Sequence, residues 1–217
     1  MVALTSVSPL SSTREPKIKA IVFDLNGVIR DWHITEESVV EARHGLPIGA
    51  IGDAAMSGPL FVDVTTGVIS DEEWRKVLAA ELATQYGDGA LGAVAEWSQL
   101  RGSVHHDVLD YVQELRGRFT VALLTNASSR LAHDLRQLEL SDSFDFVFNS
   151  AQIGVAKPHV DAYAHVSRQL GLESHEWLFI DDSLENVRGA ESVGVRAHHF
   201  SELSDLRMWI DTQLAES

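Results

Sequence analysis

Six residues have the types and positions to do chemistry: Asp24, Thr125 with Asn126, Lys157, and Asp181 with Asp182. Asp24 follows the apolar run AIVF, Thr125 follows TVALL, Asp181 follows WLFI, and Lys157 comes a few residues after DFVFN. Runs of this kind are the pattern of strands buried on both faces. The polar residue that ends such a strand lies on the rim where open α/β sheets bind ligands. Carboxylates placed there can hold Mg²⁺, which keeps several waters and favours one or two carboxylates together with a substrate phosphate. A lysine, a threonine hydroxyl and backbone amides can hold phosphoryl oxygens. Each group alone has an ordinary explanation: a turn at Asp24, a turn at Thr125-Asn126, a solvated Lys157 before Pro158, and Asp181-Asp182 capping the helix near Leu184. Four groups in order, each tied to a strand end, point to a site.

The elements that must position these groups follow from periodicity. From His105 onward, helix and strand alternate: HDVLDYVQELRG helix, FTVALLTNAS strand and loop, SRLAHDLRQLEL helix, FDFVFNS strand, HVDAYAHVSRQLG helix, HEWLFIDDS strand, LENVRGAESVG helix, VRAHHF strand and LSDLRMWIDTQL helix. That alternation predicts an α/β fold with right-handed crossovers and a parallel sheet carrying helices on both faces. Residues 34–102 break the pattern with helical spacing and no buried strand, which predicts a helical insertion after the first strand. Within it, Thr35, Glu36 and Glu37 start one helix, and Ser70 with Glu73 forms a capping box opening DEEWRKVLAAELATQY. Trp74, Val77, Leu78, Leu82 and Tyr86 recur at helical spacing and are expected to be core. A third helix is expected around residues 90–100. The organisation is therefore a flexible tail over 1–17, a core of 18–33 and 103–217, and a helical unit over 34–102.

Composition narrows the partners. The chain has 217 residues, 45% apolar and 23% charged, and no apolar run of the roughly 20 residues that span a bilayer. A net charge of −15 argues against nucleic acid or anionic lipid as the main partner, because both need a basic patch. The absence of cysteine excludes disulfides and thiolate metal sites and fits a reducing, cytoplasmic compartment. The Ser/Thr/Pro-rich first residues lack the apolar core of a secretory signal.

With these motifs in hand, the chain resembles the haloacid dehalogenase-like (HAD) hydrolase superfamily over essentially its whole length after the tail. FDLNGV resembles the nucleophile motif, LLTN the phosphate-contacting motif, GVAKPHVDAY the lysine motif and FIDDSLENVRGA the acidic metal motif. The resemblance implies a Rossmann-like core with a helical cap, a small phosphorylated substrate and Mg²⁺. It further implies Asp24 as nucleophile, Thr125 with Asn126 on phosphate, and Lys157 neutralising charge. Asp181 and Asp182 would hold the metal with Asp24 and the backbone carbonyl of Asn26.

Asn26 is the departure. Phosphatases of this family usually carry there a second aspartate that protonates the leaving group and activates water, and an amide can do neither. General acid/base catalysis contributes about 10²–10⁴ in rate, so a slow enzyme is expected if nothing substitutes. The alternatives are another acid/base, with Asp31 and His33 nearest in sequence; an introduced replacement; a binding protein with little turnover; or a carbon–halogen hydrolase, in which halide leaves unprotonated. Asp181-Asp182 argue against the last, since they place negative charge beside an anionic substrate. Trp32 faces either the core of the helical unit or the substrate, with the core the first expectation; Arg30 could supply positive charge to an anionic substrate but is expected to be exposed; and the pairs His105-His106 and His198-His199 are expected to be structural.

Overall fold

A computed structural model describes residues 18–32 and 34–216. The tail expected over residues 1–17 and the acid/base candidate His33 lie outside the described residues. In chain order the elements are β1 (Ala20–Phe23), β2 (Arg30–Asp31), α1 (Ile34–Arg43), α2 (Ala50–Ala55), α3 (Gly58–Thr65), α4 (Asp71–Tyr86), α5 (Gly89–Trp97) and β3 (Ser103–Val104). They continue with α6 (His106–Arg116), β4 (Thr120–Thr125), α7 (Leu131–Gln137), β5 (Phe146–Asn149), α8 (Ser150–Ile153), α9 (Val160–Leu170), β6 (Trp177–Asp181), α10 (Leu184–Glu191), β7 (Arg196–His199) and α11 (Leu203–Ala215). Among the described residues no helix is long and apolar enough to cross a membrane.

The main sheet has the order β5-β4-β1-β6-β7 with every neighbouring pair parallel. Its apolar runs serve both faces, because successive side chains point to opposite sides. Ile21, Phe23, Val121, Leu123, Leu178 and Ile180 pack with α6, α7 and α11, whereas Ala20, Val22, Ala122, Leu124 and Phe179 pack with α9 and α10. The first strand lies in the middle, so the chain builds to one side of β1 and then crosses to the other. That reversal opens a crevice at the carboxyl end of β1, between the ends of β4 and β6.

The helices α1–α5 bury an apolar cluster of their own, centred on Ile51, Trp74, Leu78, Leu82, Val94 and Trp97. The predicted capping box is present: Glu73 N–H donates to Ser70 Oγ at 3.2 Å and Ser70 N–H donates to Glu73 Oε2 at 3.0 Å. Val77 and Tyr86, expected in the core, are instead 41% and 37% exposed. At roughly 100° per residue, Trp74, Leu78 and Leu82 span a narrow stripe, while positions 77 and 86 fall about 80–100° to either side of its centre. The short helices α2, α3 and α8 do not stand out in the sequence. The first of these depends on Glu41, a fully buried carboxylate that accepts from Gly49 N–H at 2.7 Å and Ile51 N–H at 2.8 Å at the helix start.

The chain leaves the sheet and returns to it through a short antiparallel ribbon pairing Arg30 with Val104 and Asp31 with Ser103. Gly102 fits beside it because its φ is +69° and a Cβ there would come within 2.2 Å of the Asp31 carbonyl oxygen.

Candidate functional site

Parallel register brings the predicted residues together. Phe23 pairs with Leu123 on one side and Ile180 on the other, so one residue further on Asp24 lies between Leu124 and Asp181. Lys157 Nζ bridges this row: it is 2.8 Å from Asp24 Oδ1, donates to Asp181 Oδ2 at 2.6 Å, and donates to the Leu124 carbonyl at 2.9 Å. Lys157 is 4% exposed, so it is a buried cation rather than a solvated one. Its backbone is clasped by Asn126, which accepts from Lys157 N–H and donates to the Lys157 carbonyl, both at 2.8 Å. That pair of hydrogen bonds explains why an amide follows Thr125: it locks the lysine loop to the end of β4. Asn126 also lines the cavity described below.

Asp181 is fully buried and fully engaged. Its Oδ1 accepts from Ser183 N–H at 2.8 Å and from Asn186 Nδ2 at 3.0 Å, while Oδ2 takes Lys157. Asp182 is exposed, and the ligand oxygens of Asp24, Asp181 and Asp182 all lie within 4.8 Å of one another. Gly27 makes room for this approach: its φ is +75°, and a Cβ would sit 1.9 Å from Asp182 Oδ2.

Among the described residues, the buried Thr125 Oγ1 at the end of β4 has no hydrogen-bond partner, while Asp24 Oδ1 is held by the Lys157 ammonium at 2.8 Å. Buried polar groups are ordinarily satisfied, so the unpartnered hydroxyl beside a carboxylate cluster fits an anion held next to a metal with oxygen ligands. The all-oxygen donor set suits a hard divalent cation. Burial raises the Asp24 carboxyl to about 6 against the pull of Lys157, with Asp181 adding to the rise. Burial opposes the charge of Lys157, but Asp24 and Asp181 outweigh it and raise its pKa. Asp182, though exposed at its rim, is also raised, first by the partial desolvation of its carboxyl in the crevice and then by Asp181. These three carboxylates repel one another, and a cation would relieve that repulsion.

Asn26 follows Asp24 by two residues in the loop after β1. Its Oδ1 accepts from Arg30 Nε at 2.8 Å, and the turn is closed by Gly27 N–H to Arg30 O at 2.8 Å and Arg30 N–H to Leu25 O at 2.7 Å. Arg30, expected from sequence to be exposed, is instead 5% accessible. It lies 4.5 Å over the Trp32 ring and 4.0 Å from Asp134. Trp32 is half-buried and lines a cavity of about 470 Å³ between the strand ends and α2–α5, rather than the core of the helical unit. Asn26, Arg30 and Asn126 line the same cavity. Asp31 is exposed on the ribbon and is not among the lining residues.

Several site residues carry no sequence signal of their own. Asn186, one turn into α10, orients Asp181. Ser128 Oγ donates to Asp71 Oδ1 at 2.7 Å, and Asp71 N–H donates to Ser129 Oγ at 3.1 Å, tying the start of α4 to the loop after Thr125. Asp71 also pairs with Arg75 one turn on, at 2.6 Å. Neither histidine pair joins the carboxylate cluster. His198 stacks on Trp209 at 5.0 Å, and His199 contacts the Asp182 carbonyl at 2.9 Å.

A buried nucleophile-like carboxylate at the switch point of a parallel sheet, with lysine and paired acids converging on it, defines a hydrolase-type site of the HAD kind. The family model for haloacid dehalogenase-like hydrolases matches residues 18–194, and the chain belongs to that family. It is 28% identical over 188 residues to the sesquiterpene phosphatase astK of Aspergillus oryzae, covering 85% of this chain and 90% of that one. It is 32% identical over 190 residues to a phosphatase of Mycobacterium tuberculosis, covering 83% and 86%. Among solved structures, it superposes with a TM-score of 0.68 and 23% identity on a HAD family enzyme of Bacteroides thetaiotaomicron in complex with magnesium and inorganic phosphate, covering 87% and 98%.

Proposed function

We propose that the protein is a Mg²⁺-dependent phosphatase that removes phosphate from a small monoester through Asp24. The observation that carries this is the row Asp24–Lys157–Asp181 beside an unpartnered Thr125 hydroxyl. It is supported by the two phosphatases among the relatives and by the donor set's fit to a hard cation. Asp24, Asp181 or Asp182, and the backbone carbonyl of Asn26 would hold Mg²⁺. When bound, the ion supplies positive charge to the phosphoryl oxygens and to the carboxylates around it.

Asp24 attacks phosphorus in line, the bond to the ester oxygen breaks, and an aspartyl-phosphate forms. Lys157 holds the nucleophile charged and oriented, and with the Thr125 hydroxyl neutralises phosphoryl oxygens. Asn126 contributes to the phosphate pocket and fixes the loop that carries Lys157. Water then hydrolyses the acyl phosphate and restores Asp24. The helices of residues 34–102 act as the cap that encloses the leaving group.

Asn26 sets the rate. Its Oδ1 is committed to Arg30, so it provides neither acid nor base, and both half-reactions run without that assistance. This favours slow turnover on poor leaving groups and retained binding of phosphate. A panel of phosphate monoesters assayed with Mg²⁺ and with chelator, beside 2-haloacids, tests the reading. Chelator-sensitive phosphate release is expected. Halide release without metal, or no release from any ester, contradicts it.

A further inference from the structure

Resting on the phosphatase reading of the site, we infer that the leaving group is a hydrocarbon-rich alcohol carrying a single phosphate, and that sugar phosphates and diphosphates are excluded. The cavity that opens beside Asn26 and Asn126 is walled on the helical side by Trp32, Met56, Phe61, Val64, Trp74 and Trp97. Three tryptophans, a phenylalanine, a methionine and a valine offer a large apolar area. They supply few of the donors and acceptors that a polyol needs to replace its water.

Charge points the same way. The cationic lining residues are Arg30, Arg75 and Arg130, and each already faces an acid or its surrogate. Arg75 is paired with Asp71 at 2.6 Å and lies 5.1–5.4 Å from the rings of Trp97 and Trp74. Arg130 is paired with Asp134 at 3.0 Å, and Arg30 is bonded to Asn26 at 2.8 Å with Asp134 at 4.0 Å. The lining carboxylates Glu37, Asp53, Asp71 and Asp134 outnumber these three cations. A second phosphate in the cavity would therefore meet net negative charge, while the first is served by Lys157 at the strand ends. The volume of about 470 Å³, at roughly 30 Å³ per water-sized group, holds a leaving group of up to about sixteen non-hydrogen atoms.

The test separates binding from turnover. Affinities of n-alkylphosphonates from ethyl to decyl are measured calorimetrically on the full chain with saturating Mg²⁺, beside octyl diphosphate and glucose 6-phosphate. Affinity is expected to rise about two- to fourfold per added methylene until the cavity is full. Octyl diphosphate should bind no tighter than octylphosphonate, and glucose 6-phosphate more weakly. In Met56→Asp, a change at a residue 57% exposed and therefore tolerant of a charge, the ratio of decyl to ethyl affinity should fall at least fivefold. Affinity independent of chain length, or tighter binding of the diphosphate or the sugar phosphate, overturns the inference. Chain-length-dependent phosphonate binding without hydrolysis of any ester would instead sustain the cavity assignment and remove the phosphatase reading.

Discussion

The strand ends and the helical wall of the cavity are built on opposite principles. At the strand ends, charged groups are buried and fixed by register: Lys157, Asp24 and Asp181 are all under 8% exposed and lie within 2.8 Å contacts of the lysine nitrogen. Across the cavity, the wall of α2–α5 is apolar and aromatic, and its one lining arginine, Arg75, is held by Asp71. The first region can stabilise a transferring phosphoryl group, and the second can only choose what is attached to it. Reaction type should therefore depend on the sheet, and substrate choice on the helices.

Asp24→Ala probes the sheet side most severely. It should lower phosphate release by at least about 10⁴-fold while leaving the circular dichroism spectrum unchanged. Lys157→Met should follow, because it strands two carboxylates in a buried site. A stability loss of about 3–5 kcal/mol is expected in urea unfolding, reduced when Mg²⁺ is added. On the helical side, Leu78→Ala empties a fully buried position in the α1–α5 cluster and should cost about 2–5 kcal/mol. Its residual activity on p-nitrophenyl phosphate should fall less than its activity on long-chain esters. If both fall together, the two regions are not separable in the way described.

Asn26→Asp sharpens the same contrast from within the crevice. Turnover should rise by about 10- to 100-fold on substrates with poor leaving groups, and little on p-nitrophenyl phosphate, whose leaving group needs no proton. The gain should stay below the full value of an acid/base because Arg30, 2.8 Å from the existing amide oxygen, would pair with the new carboxylate and hold its proton loosely.

The smallest expected effect concerns pH. The Asp24 carboxyl is raised from 3.8 to about 6 by burial, so the folded chain binds its proton more tightly than the unfolded chain does. Folding is therefore favoured by this group below about pH 4, and that advantage is lost as pH rises through 6. In chelator, wild type should lose stability relative to Asp24→Asn between pH 4 and 7, by on the order of 1–3 kcal/mol, measured by urea titration. No change in the difference across that range would show that Lys157 offsets the burial fully.

The legibility of these two regions in the sequence also differs, for physical reasons. Strands buried on both faces must be apolar throughout, so their ends are marked by the first polar residue. Asp24, Thr125 and Asp181 stand out for that reason, and parallel order then places them side by side. Lys157 is visible only through its motif, since nothing local says that a lysine before a proline is buried. The wall is harder to read because helical spacing reports which residues share a face, not which neighbour that face meets. Trp74 is core by period, yet it also lines the cavity, beside Trp97. Arg30 and Trp32 were expected at the surface and in the core of the helical unit, respectively. The 30–31/103–104 ribbon, which brings this segment to the cavity, depends on residues far apart in the chain.

The account turns on Asp24 forming a bond to phosphorus. Acid-quenched enzyme, sampled within the first turnover of an activated aryl phosphate in Mg²⁺ and digested for mass spectrometry, measures this directly. The account predicts one phosphoryl group on the peptide containing Asp24, accumulating because Asn26 cannot activate water, and none in Asp24→Ala. Steady phosphate release with no phosphoryl adduct on that peptide would contradict it.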